Sequence, residues 1–106
     1  MEVVKLDMEE FRMLVDNASP QELVDLEEEL VLALGATEDS IRALSAKVSI
    51  TDSAAEMGLL TPEEANKEKV DLLKQMSRAL AAKNWYREKL SLVRRTIRER
   101  GVTRQE

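Results

Sequence analysis

The chain has no cysteine and no histidine. The first absence excludes disulfides and thiolate chemistry, and the second removes the commonest general base and metal ligand, so most hydrolytic mechanisms lose their central residue. Aromatics are almost as scarce, with only Phe11, Trp85 and Tyr86. The two prolines and three glycines stand apart from one another, which leaves no glycine-rich loop to cradle a phosphate. The longest apolar run, LVLALGA from Leu30 to Ala36, is too short to span a bilayer, and the acidic start MEVVKLDMEEF carries no apolar segment of signal-peptide length. These features lead us to expect a cytoplasmic protein with no membrane partner.

What remains is Leu, Ala, Val and Met among many charges, over 106 residues. That composition and length fit one small all-α domain. The net charge of −5 conceals a gradient. Residues 1–39 hold twelve acids and two bases, residues 40–78 hold six of each, and residues 79–106 hold eight bases and three acids.

Two helix starts are written almost alike, Ser19-Pro20-Gln21-Glu22 and Thr61-Pro62-Glu63-Glu64. Each is a capping box: the hydroxyl accepts from an orphan N–H, proline fits the first helical turn, and the glutamate three residues on reaches back. A weaker start at Asp7 opens a short amphipathic segment with Met8, Phe11, Leu14 and Val15 on one face, ended by Asn17 and Ser19-Pro20. Gly58 and Gly101 are placed to end the two long helices. The sequence thus predicts a short helix over 7–17, long helices over 20–57 and 62–100, and a tail over 101–106. Gly35 and a restart at Thr51 or Asp52 are the two places where the first long helix could break. A turn of roughly four residues forces the long helices antiparallel.

Such a hairpin pairs positions whose numbers total about 120. Leu23, Leu30, Leu34, Ile41, Leu44, Val48 and Ala55 then face Ile97, Leu90, Tyr86, Ala79, Met76, Leu72 and Ala65, a near-heptad seam. Thr37 with Lys83 and Thr51 with Lys69 interrupt it as polar layers, and a bend is expected near Gly35. The same register brings Arg94, Arg95 and Arg98 opposite Glu22, Asp25, Glu27, Glu28 and Glu29. Trp85 and Leu92 fall on one flank of the last helix, while Ala33, Ala36, Ser40 and Ala43 form a small-residue stripe on the first. Two helices leave both flanks uncovered. The expectation is a four-helix bundle formed by a homodimer, with Trp85 either under the short helix or in the interface.

For function, Trp85, Leu92, Arg94, Arg95 and Arg98 are the candidate partner-binding residues, and Ala33, Ala36, Ser40 and Ala43 the candidate oligomer interface. A metal-dependent all-helical nucleotide pyrophosphohydrolase would need Glu22, Asp25 and Glu28 to meet Glu68 and Asp71. The register separates Glu28 from the position opposite Glu68 by about 36 Å, so one hairpin cannot join them. No enzyme, cofactor or metal is expected. Nucleic-acid binding through Arg87, Arg94, Arg98 and Arg104 is the alternative, opposed by the overall acidity.

The closing helix, with Trp85, Arg87, Lys89, Leu90, Val93, Arg94, Arg95 and Ile97, resembles that of small uncharacterised phage- or prophage-encoded hairpin proteins. The resemblance covers about a fifth of the chain. It implies a protein that binds a host or virion protein, in the host cytoplasm, and assigns no residue a role. The expected function is a non-enzymatic helical interaction module: an oligomerising adaptor, an assembly factor or an inhibitor.

Overall fold

The computed structural model describes residues 7–103. Its elements are three helices, α1 (Met8–Asp16), α2 (Pro20–Glu56) and α3 (Pro62–Arg100), with no strand among the described residues. The two long helices pack against each other as a hairpin. The chain is all-α, as its composition and periodicity require.

The ends of the helices follow from their caps. Asp7 accepts from the Glu10 N–H at 2.8 Å. At Ser19 the Glu22 N–H donates to the hydroxyl at 3.2 Å, and the Ser19 N–H returns a bond to Glu22 at 3.1 Å. Thr61 and Glu64 exchange the same pair of bonds, both at 3.1 Å. The donors that Ser19 and Thr61 aim at Glu22 and Glu64, the backbone N–H first and the hydroxyl second, hold both carboxyls below the usual glutamate range.

At the other ends, Gly58 and Gly101 adopt φ of 75° and 63°. This left-handed conformation lets the chain double back, so that Gly58 N–H and Leu59 N–H donate to Ala55 and Ala54, and Gly101 N–H and Val102 N–H to Arg98 and Ile97. Both ends are Schellman caps. Neither Gly35 nor Thr51 breaks α2, which is continuous from Pro20 to Glu56. Thr51 is buried, and its hydroxyl donates to the Lys47 carbonyl at 2.9 Å, which removes the conflict of a hydroxyl on an apolar face.

The chain divides into two compact units. Among the described residues, the first comprises 7–35 and 83–103, and the second runs from Ala36 to Ala82. In the first unit α1 is the third layer: Phe11, Val15 and Ala18 are buried with Leu23 and Leu30 of α2 and Leu90, Leu92, Val93 and Ile97 of α3. All nine side chains but Ala18 and Leu92 lie at or below 5% exposure, so three helix surfaces close a real core. Leu34 and Tyr86, paired by the register, pack half-buried against it. The heptad also passes through Glu27, whose side chain is only 12% exposed and is met by Arg94 at 3.1 Å.

The second unit has two helix surfaces only. Leu44, Thr51, Ala65 and Leu72 are buried, while Ile41, Val48, Ala55, Met76 and Ala79 are half-buried. Every one occupies its expected seam position. Lys69 pairs with Asp52 at 2.7 Å across the seam, one step from its expected partner Thr51.

Candidate functional site

The second helix face of the first unit carries the chemistry. On α3, Trp85, Lys89, Leu92 and Thr96 recur at intervals of four, three and four, so they share one stripe. Helix α1 lies along it. Phe11 meets Trp85 edge-on, with ring centroids 6.3 Å apart, and Trp85 meets Tyr86 at 5.5 Å and 87°. Of the two places expected for Trp85, the structure shows the one beneath the short helix.

Lys89 is the residue that sequence reasoning passed over. It is 2% exposed, with its ammonium 3.3 Å from the Trp85 ring centre and 5.5 Å from that of Phe11. It donates to the Met8 thioether at 3.9 Å. Aromatic faces and a soft sulfur replace water around the charge. Burial pushes its pKa below the ordinary 10.5, and the carboxylates of Glu88 and Asp7 push back. The signal was present in the spacing, since Lys89 lies four residues after Trp85 and three before Leu92. A lysine on a charged helix reads as solvated, and only the arrival of α1 buries it.

Arg100 was missed for a similar reason. Its guanidinium donates to the carbonyls of Ala18 at 2.8 Å, Asp16 at 2.9 Å and Val15 at 3.2 Å. No basic residue stands in the last turn of α1, so a cation from the far end of α3 meets the carbonyls at and just past its C-terminal end, that of Val15 accepting from the Ala18 N–H as well. Arg100 thereby ties α1 down at one end as the Phe11–Trp85–Lys89 contacts do along its length.

With α1 fixed, its outer edge and α3 enclose a surface groove of about 360 Å³, lined by Met8, Arg12, Arg87, Glu88, Ser91, Leu92 and Arg95. Arg12 and Arg87 have no ion pair among the described residues, and Arg95 meets only Glu99 of its own helix at 3.9 Å, with both side chains mostly exposed. Three arginines therefore line one groove, together with a hydroxyl, two apolar side chains and one carboxylate, Glu88. Such a set recognises carboxylates or phosphates by paired N–H donors.

The expected residues divide among several places. Leu92 and Arg95 line this groove, Leu92 being 9% exposed as part of the core. Arg94 lies elsewhere, paired with Glu27. The expected charge pairing of Arg94, Arg95 and Arg98 with the start of α2 is thus realised by Arg94 alone. Arg95 bonds along its own helix, and Arg98 has no ion pair among the described residues. Rotation accounts for Arg95, which at about 100° from Arg94 turns away from α2, whereas Arg98, four residues on, keeps to the Arg94 side of α3 without an ion pair among the described residues. Ala36, Ser40 and Ala43 are exposed and Ala33 is half-buried, and the Ser40 hydroxyl donates to the Ala36 carbonyl at 3.1 Å. Arg104 lies outside the described residues.

Among the described residues no three carboxylates stand close enough to hold a metal ion, and no helix is long and apolar enough to cross a membrane. Searches of protein-family models, of curated proteins and of solved structures find no match to this chain.

Proposed function

We propose that the protein is a non-enzymatic helical interaction module, an adaptor, assembly factor or inhibitor, whose groove between α1 and α3 binds an acidic segment of another protein. The observation that carries this reading is the convergence of Arg12, Arg87 and Arg95 on one groove that Leu92 and Met8 also line. Apolar contact with a cationic rim suits a peptide carrying both hydrophobic and acidic side chains, since charge gives approach and orientation while the buried apolar contact gives most of the affinity. The resemblance of the closing helix to phage-encoded hairpin proteins agrees with a role in binding a host or virion protein in the cytoplasm. Self-association through the exposed Ala36, Ser40 and Ala43 stripe, with Ala33 beside it, would make such a module a homodimer.

The same arginines support a second reading, binding of nucleic acid. One experiment separates the two. The parent protein and the Arg12→Glu/Arg95→Glu variant are compared for capture of host proteins and, in a salt series, for binding of single-stranded DNA and RNA. The expected result is a captured protein lost with the double variant while amide exchange of α1 is unchanged, and nucleic-acid binding that is weak throughout. Tight nucleic-acid binding that falls steeply with salt would reverse the order of the two readings.

A further inference from the structure

A second groove in the same unit has the opposite character. Val31 and Leu32 of α2 are 42% and 73% exposed. With Glu27, Glu28 and Arg94 they line a surface depression of about 570 Å³ between α2 and α3. Its one cation is already engaged, because Arg94 donates to Glu27 at 3.1 Å. The stretch from Pro20 to Gly35 holds five carboxylates and no base. Glu28 and Glu29 have no ion pair among the described residues, and Asp25 accepts only from the neutral Gln21 amide at 3.0 Å. The exposed apolar pair thus has on its rim the carboxylate of Glu28, which carries no ion pair among the described residues, with Asp25 three residues before it on α2.

We propose that this groove docks a cationic amphipathic helix of a partner protein, apolar side chains seated on Val31 and Leu32 and lysines or arginines reaching Glu28 and Asp25. An open trough beside two helices is the shape that accepts a third by its i, i+3 or i+4 side chains. A second copy of this chain fits less well. Turned on itself, the acidic stretch would bring like charges together, and the chain's own basic helix has its apolar stripe, Leu90, Val93 and Ile97, already buried. A polyanion is repelled by the same rim. The cationic groove between α1 and α3 is lined by other residues, and together the two would let one small protein join an acidic to a basic partner.

The test uses the full-length protein and three synthetic peptides: a helical Leu/Lys amphipath, a scrambled peptide of the same composition, and a Leu/Glu amphipath. Amide shifts are followed by NMR across the chain. The expected result is saturable binding of the Leu/Lys amphipath alone, with shifts centred on Glu28, Val31 and Leu32. Leu32→Ser should weaken it by about tenfold or more, as for a central apolar anchor. Leu32 is exposed, so the variant keeps its fold, and an unchanged spectrum outside the groove checks this. Equal binding of the scrambled peptide, an unaltered affinity of Leu32→Ser, or shifts centred elsewhere would overturn the proposal. So would a parent mass above one chain that Leu32→Ser lowers, which would assign the groove to a second copy.

Discussion

The two compact units are cut from the same pair of helices, yet only one of them has a closed core. In the first, nine apolar side chains are buried together; in the second, Leu44, Ala65 and Leu72 are the buried apolar residues, while Ile50, Val70, Leu73 and Leu80 stand 46–67% exposed. The apolar content of the helices does not explain this. A helix in a hairpin has one face toward its partner, and side chains off that line need a third surface. Nine residues of α1 supply it to the first unit and to nothing else. The comparison teaches that the short helix converts a two-helix seam into a core, and that it does so with one aromatic, one buried cation and one borrowed cap.

The sharpest way to break the difference is to take the aromatic away. Phe11 is fully buried, so Phe11→Ala should cost about 3–5 kcal/mol, the range for a large-to-small change at an aromatic core position. The loss should be local: α1 releases, Trp85 and Lys89 become exposed, and the first unit then resembles the second. Tryptophan emission should shift to the red, and amide exchange should rise over residues 8–18 and around Leu92 while that near Leu44 and Leu72 stays as it was. Equal loss of protection throughout would mean that the units do not behave separately.

A milder disturbance is Arg100→Ala. Two carbonyls at the end of α1 and that of Ala18 just past it lose their charged donor, at a cost of about 1–2 kcal/mol, because water can reach this edge and restore part of the bonding. The expected result is exchange that rises first at Asn17 and Ala18 and last at Phe11. Arg100→Lys should recover only part of the protection, since an ammonium lacks the planar fork that reaches several carbonyls at once. If Arg100→Ala leaves α1 as protected as before, the aromatic contacts alone hold it.

These two variants also mark the boundary of what was legible in the chain. Helix ends, the hairpin and the seam were readable because each has a local code: capping boxes at Ser19 and Thr61, glycines at 58 and 101, and a heptad that pairs Leu23 with Ile97 and Leu44 with Met76. The site was less so. Lys89 and Arg100 acquire their roles from α1, more than seventy residues away in sequence, and nothing beside them announces it. Glu27 was concealed differently. It falls on the seam, but its neighbours Glu28 and Glu29 make the whole segment read as solvent-facing, and its burial against Arg94 distinguishes it.

The smallest effect offers the cleanest control, because the same device occurs once in each unit. The boxes at Ser19–Glu22 and Thr61–Glu64 have matching bonds, and in both the carboxyl is held below the usual range by the backbone N–H and hydroxyl it accepts from. A carboxylate with a lowered folded pKa adds stability that is fully present above its unfolded value of about 4.5 and is lost as pH falls through the folded value. Acidification from above pH 4.5 should therefore fray both helix starts, and Glu22→Gln and Glu64→Gln should each flatten the response at its own box alone. The chemistry being equal, any difference in fraying measures the packing behind it. Leu23, next to the first box, is fully buried, whereas Ala65, next to the second, buries only a methyl group. Residues 62–66 should exchange faster than residues 20–24 at every pH in the window. Equal rates would show that capping alone sets the stability of these ends, and that the extra layer in the first unit does not reach as far as the start of α2.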